Sequence, residues 1–363
     1  MNAKADIDIR LESSLSPVAV IGSGMVTPIG ADTHTTFYNY LARFSQTQYK
    51  EQSRTIIDGS PRLLSPIAWG EKGLTFTERL LALANHALAQ IWSPAINPEA
   101  LREFLPGGLP MILNLPSPRP GFDERFLCTC FTEQQQFPLH PEYSGLLLND
   151  HSGVLAALHQ AMELLRQNVS PLCLIGGIDS LLHRETLAFL ESVGVLKMES
   201  NPTGFIPAEG AGFMLLASPS FVQQYGLKAI CWVNRAASAE EPCPWYTEEP
   251  NQGAGLSGVL SYLLDDTHRA PISYCDQNGE VWRAEEWSYA YLRTGVYHGH
   301  PLNLHHPADC FGDIGAASGA VLLGLAAKEL ATNIENHSNC LVYTAASFSN
   351  IRAACLLTQE FTT

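Results

Sequence analysis

Side chains that could do chemistry gather at four places. Asp150, His151 and Ser152 stand directly ahead of an apolar helical run, where His151 could serve as a base or a nucleophile. The strand-like run ending Tyr274-Cys-Asp-Gln-Asn-Gly-Glu280 supplies Asp276, Asn278 and Glu280, and Asp313 precedes a second apolar helix. Together with His151 these residues would form either an acidic site or a polar network whose members satisfy one another. The positive end of a helix disfavours an imidazolium, so His151 is expected to be a neutral, buried, hydrogen-bonding histidine. Ser152 has no evident paired base and reads as a helix cap. The fourth place is Tyr297 to Cys310, with His298, His300, His305, His306 and Cys310. Its spacing matches no zinc motif, so a polar loop leading into a buried helix is expected, with no metal and no cofactor. Cys128 and Cys130 are too close together for a metal knuckle and lack a second pair.

Aromatic residues concentrate at one further point. Arg283-Ala-Glu-Glu-Trp-Ser-Tyr-Ala-Tyr-Leu292 reads as a helix start with acidic residues in its first turn. Trp282, Trp287, Tyr289 and Tyr291 lie so near one another that core packing and an interface patch both remain open.

Holding such residues in place takes buried elements. The runs starting at Val18, Leu172 and Leu341 are continuously apolar or small, as expected of strands covered on both faces in a layered α/β protein. Residues 77–92 show apolar positions at helical spacing with a polar opposite face. Two helices, Ser152 to Met162 and Gly315 to Ala326, are apolar or small almost all round, which implies burial between two sheets. One such helix falls in each half of the chain, indicating an internal duplication with a boundary near Ser218 to Lys228. Ser238 to Gly255, rich in Glu, Pro and Gly, is expected to be an inserted loop.

Composition sets the outer limits. With 363 residues, 46% hydrophobic, the chain can bury one large domain or two pseudo-repeated halves. Only 16% of residues are charged, which fits extensive buried sheet and a further surface hidden in an oligomer. The net charge of −15 argues against nucleic acid and anionic membrane as partners. Nine cysteines, an odd number without a disulfide framework, fit a reducing compartment. The N-terminal stretch MNAKADIDIRLESS lacks the apolar core of a signal peptide, and no apolar run approaches a membrane span. A soluble cytoplasmic protein is expected.

Several of these segments resemble those of β-ketoacyl-[acyl-carrier-protein] synthases (3-oxoacyl-ACP synthases), acyltransferases of the thiolase superfamily. Val18 to Gly30 is similar to the opening strand and its GMVTP-type turn, Leu155 to Ala161 to the nucleophile helix, and Ile175 to Ser180 to the Gly-Gly strand end after it. Gly204-Phe-Ile-Pro-Ala-Glu-Gly-Ala-Gly212 resembles the GF-x-x-GEGAG segment, with Ala208 for its first Gly. Phe311 to Gly319 resembles the GH-x-x-GAAG segment. Residues 45–140 match poorly. The resemblance implies a five-layered αβαβα thiolase-like fold of two pseudo-duplicated halves, 1–220 and 228–363, with buried central helices, and a dimer built across the first half's sheet.

It also implies a Cys–His–His catalytic set and a glycine-rich oxyanion loop, and here each is replaced. The nucleophile position falls on His151, or on Asp150 with a one-residue gap. The histidine positions fall on Asn278 and Asp313, and the oxyanion loop reads Ala346-Ser-Phe-Ser-Asn-Ile-Arg352 without glycine. Asp150, Ser152, Asp276 and Glu209 are expected beside them in a vestigial pocket. The implied function is a pseudoenzyme, a protein-binding scaffold or adaptor that forms a homodimer or a hetero-oligomer with another protein. Its D-x-N-G-E-x-x-R-A-E-E-W and C-F-G-D-I-G-A-A-S-G motifs resemble those of accessory proteins of type VI secretion effector loading. Two alternatives stand beside it: an acyl-carrier-protein-linked acyltransferase or decarboxylase using His151 and the acidic residues, and a chain-length-factor-like partner of an active ketosynthase.

Overall fold

The computed structural model describes residues 9–10, 16–57, 59–68, 73–133, 135, 137–332, 334 and 336–361. Most of the polar N-terminal stretch lies outside the described residues. The strands are β1 (Ile9–Arg10), β2 (Val18–Val26), β3 (Gln48–Arg54), β4 (Pro61–Leu64), β5 (Met111–Asn114), β6 (Gly145–Leu147), β7 (Leu172–Ser180), β8 (Glu209–Ala217), β9 (Cys231–Glu240), β10 (Ile272–Cys275), β11 (Leu304–His305), β12 (Asn339–Ala345) and β13 (Ile351–Thr358). The helices are α1 (Thr33–Leu41), α2 (Phe76–Ala89), α3 (Pro98–Phe104), α4 (Glu124–Glu133), α5 (Gly153–Arg166), α6 (Arg184–Ser192), α7 (Pro219–Tyr225), α8 (Ala254–Leu263), α9 (Val281–Thr294), α10 (Ala308–Phe311) and α11 (Ser318–Thr332).

One strand pattern occurs twice. The first half orders its strands β6-β5-β7-β8-β2 and the second β11-β10-β12-β13-β9. In each, the first strand by sequence is outermost at one end, the third at the other, and the last two pairings are antiparallel. The two sheets expected from sequence are joined, because β2 and β9 pair through Val18↔Val233, Ala19↔Trp232 and Val20↔Cys231. β3 and β4 form a separate hairpin.

The layers follow from which faces are apolar. α5 and α11 touch each other and strands of both halves, in a core that combines Val154, Leu158, Val321 and Leu325 with Ile175, Met214, Val342 and Cys355. α2 and α4 cover the outer face of the first half, and α8 and α9 that of the second. This is the thiolase-like αβαβα arrangement. β7 and β8 are buried at every position, as strands covered on both faces must be. Their glycines admit close approach: a Cβ on Gly177 would lie 2.2 Å from the Ala316 carbonyl oxygen ahead of α11. Of the two helices read as central, α11 is buried from Ser318 to Ala327, whereas α5 exposes Gln160 and Arg166 toward its end.

Some boundaries differ from the sequence reading. Residues 238–240 still belong to β9, whose partner β13 holds them in register, so the loop begins after Glu240. α2 starts at Phe76 because Thr75 and Glu78 form a reciprocal capping box. α9 starts at Val281, which moves Glu285 and Glu286 beyond its first turn. Among the described residues, no helix is long and apolar enough to cross a membrane.

Candidate functional site

A short 3-10 turn, Asp150–Ser152, leads into α5, and another, Gly315–Ala317, leads into α11. These paired helix entrances bring His151 and Asp313 together. His151 Nε2 lies 2.8 Å from Asp313 Oδ1 and 3.0 Å from Oδ2. Asn278, on the loop after β10, donates from Nδ2 to Asp313 Oδ2 (2.6 Å) and to Glu280 (3.0 Å). The backbone N–H of Gly315 donates to Asp313 Oδ1 (2.8 Å). The three positions singled out by sequence motif therefore converge.

Arg283 on α9 extends the network, a role its sequence context did not disclose. Its guanidinium donates to Asp276 (2.8 Å), Glu280 (3.1 Å), the Ala345 carbonyl (2.5 Å) and Ser347 Oγ (2.7 Å). Asp276 also accepts from the Ala345 N–H, which ties β10 to β12. All five charged side chains are buried. Burial alone would lower the pKa of His151, but the adjoining Asp313 carboxylate outweighs it and raises the value. Burial would raise Asp313, and His151 and Arg283 reverse that and hold it well below the usual carboxylate range. Arg283 is held charged by Asp276, Glu280 and Asp313 against its own desolvation. The Asp313 carboxylate thus shifts His151 toward its charged form, opposite in direction to the effect expected of the helix terminus.

Other expected members of this pocket lie elsewhere. Glu209 points toward the outer face, where Arg79 grips it bidentately (Nε to Oε2, 3.0 Å; Nη2 to Oε1, 2.5 Å) with help from Ile67 N–H and Ser180 Oγ. Asp150 accepts from Ser117 N–H (2.8 Å), Ser117 Oγ (2.9 Å) and Phe348 N–H (3.3 Å). That last contact occupies a backbone donor of the loop where the family resemblance places an oxyanion hole. Ser152 does not cap α5; its hydroxyl donates to the Ile351 carbonyl (3.1 Å). Asn114 was not singled out, yet its amide donates to the Asp150 and Ala316 carbonyls and so clamps the two entrance turns together.

The space left at this site is small. Beside His151, Asp276, Asn278 and Asp313 lies a cavity of about 10 Å³, room for no more than one water. Nε2 of His151 cannot attack a thioester as it stands, because facing the Asp313 carboxylate it carries the proton of their hydrogen bond and has no free lone pair. The nearby Cys275 thiol is buried and its pKa pushed up to about 12, so it is not a thiolate. The arrangement is suited to joining elements, not to accepting an acyl chain.

The remaining candidates separate. Trp287 is core, stacked on Tyr343 at 4.9 Å, while Trp282 stacks on Trp245 and under Arg283. Tyr289 is exposed and Tyr291 half-buried. His298 packs edge-on to Trp287, His305 stacks on Tyr274, and His306 pairs with Asp309 (2.7 Å). Among the described residues no group of three or more His, Cys, Asp or Glu side chains is placed to hold a metal ion.

The sequence profile of the family described as "Beta-ketoacyl synthase, N-terminal domain" matches residues 150–220, which span the His151 turn, α5, β7 and β8. No curated protein matches the sequence. Three solved structures share the fold over nearly the whole chain. One is a type II polyketide synthase acyl-carrier protein in complex with its ketosynthase bound to the hexaketide (TM-score 0.72, 15% identity, 95% of this chain and 99% of that one). Another is the ishigamide ketosynthase/chain length factor (TM-score 0.76, 13% identity, 96% and 100%). The third is the oxazolomycin ketosynthase domain of Streptomyces albus (TM-score 0.73, 13% identity, 96% and 75%). Residues 150–220 are thus similar to the N-terminal domain of β-ketoacyl synthases, and the chain has the thiolase-like fold of the ketosynthases.

Proposed function

We propose that this chain is a non-condensing ketosynthase-like protein that works by binding another protein. One observation carries the reading: the positions that resemble the family's catalytic set hold His151, Asn278 and Asp313, bonded to one another beside a cavity of about 10 Å³. A condensing site needs a thiolate at the head of α5 and room for two acyl groups. Fold alone does not assign function, so the reading rests on the site. The adaptor role in type VI secretion effector loading is the finer form of this proposal and rests on motif resemblance. The duplicated strand order supports reading the chain as two halves, 1–220 and 228–363. The short outer strand β6, with Gly145 and Leu146 exposed, supports an assembly built across the first half's sheet.

A second reading has its own support. The likeness to a ketosynthase/chain length factor structure fits a subunit that is inactive itself and pairs with an active ketosynthase. Capture of the tagged protein from its native host, followed by mass spectrometry, separates the two. Stoichiometric recovery of a ketosynthase with a carrier protein favours the second; recovery of a non-synthase partner, undiminished by His151→Ala, favours the first. A tagged protein that turns over carrier-protein-bound substrate alone contradicts both.

A further inference from the structure

We propose that the chain binds a small organic anion with an apolar body at the end of α11 opposite the His151 site. A cavity of about 550 Å³ opens there, lined by Lys228, Lys328 and His34, with Ile230 and Gly324 among its apolar or small members. The chain has only six lysines against 36 acidic residues, yet two of them meet at this cavity and none of its lining residues is acidic. Among the described residues neither lysine has an ion-pair partner. Of the acids next to lining residues in sequence, Asp32 is turned away to cap α1 through Thr35 N–H (2.7 Å), and buried Glu329 accepts from Tyr274 Oη (3.4 Å).

The apolar part of the site is equally specific. Gly324 and Lys328 are four residues apart on α11 and so share one face. A Cβ on Gly324 would come within 2.3 Å of Met25 Cε and 2.9 Å of Ser23 Oγ, so the missing side chain lets these β2 side chains pack directly on α11 at the cavity wall. Ser23, whose Oγ has no protein partner, stands on the β2 side of the cavity. A carboxylate or phosphate head between the lysines, with a short hydrocarbon body over Ile230, matches both parts. Ser318 lines the His151 cavity and Lys328 lines this one, ten residues or about 15 Å further along the same helix.

Sodium octanoate is the probe, followed through the Ile230 methyl signal of the full-length protein, assigned with Ile230→Val. The expected result is a saturable shift, at least tenfold weaker in Lys228→Gln/Lys328→Gln, with octylammonium giving none. Both lysines reach solvent, so the double variant should keep the wild-type melting temperature. Absence of a shift, an equal response to octylammonium, or an affinity within twofold of wild type in the double variant overturns the proposal.

Discussion

His151 and Asp313 meet at 2.8 Å although they lie 162 positions apart, because His151 sits in the turn that feeds α5 and Asp313 just ahead of the turn that feeds α11. The contact is buried and supported on the Asp313 side by Asn278 and the Gly315 N–H. It therefore ties the two halves together where a condensing enzyme would keep an open, reactive pocket.

Removing either partner should lower stability, unequally. His151→Ala leaves Asp313 with Asn278, Gly315 and the charge of Arg283, at a cost of about 1–3 kcal/mol. Asp313→Ala strands a buried histidine facing Arg283 and should cost more, about 3–5 kcal/mol. Urea denaturation of the two variants beside wild type gives both values, and equal stability of all three would mean the pair contributes nothing.

His298 should make the protein acid-sensitive. Burial, with His300 nearby, pushes its pKa down to about 4, below the ordinary value of 6.5. A group with a depressed folded pKa stabilises above its unfolded pKa and loses that contribution as pH falls toward the folded value. Between pH 7 and pH 5 the loss amounts to about 2 kcal/mol. The raised pKa of His151 acts in the opposite sense: its contribution is full below about 6.5 and is lost as pH rises through the folded value. Histidine NMR titration should show one ring resisting protonation to about pH 4 and a second staying charged above 6.5.

Gly177→Ala tests the close packing between β7 and the α11 entrance. The new methyl would meet the Ala316 backbone, which cannot swing aside as a side chain would. A loss of about 1–3 kcal/mol in chemical denaturation is expected, with the far-UV spectrum retained.

Trp287→Ala should cost about 3–5 kcal/mol through loss of the stack on Tyr343. Tyr289→Ala, at an exposed position two residues on, should stay within about 0.5 kcal/mol. Thermal melts of the pair decide whether that aromatic run acts as core or as surface.

Much of this architecture was legible in the chain. Continuous apolar runs at Leu172 and Leu341 signalled strands buried on both faces, and the solvent-free helix after Gly315 signalled a central layer. The positions of His151, Asn278 and Asp313 followed from the resemblance of the surrounding segments to the family's motifs, since turns at helix and strand ends are fixed locally. Partner choice across the fold was not legible. Arg283 reaches four groups in two segments, residues 276–280 and 345–347, and Glu209 turns to Arg79, 130 residues away. The charge state of His151 depended on Asp313, a neighbour that only tertiary structure supplies. The same holds for Asn114, whose clamp on both entrance turns leaves no local signature.

The central claim is that the site at the head of α5 performs no acyl transfer. Purified protein incubated with an acyl-thioester and measured by intact-mass spectrometry should keep its unmodified mass, because no thiolate stands there and the cavity holds no acyl chain. A stoichiometric acyl adduct on His151 or Ser152, abolished by His151→Ala in a variant that still folds, would contradict the account.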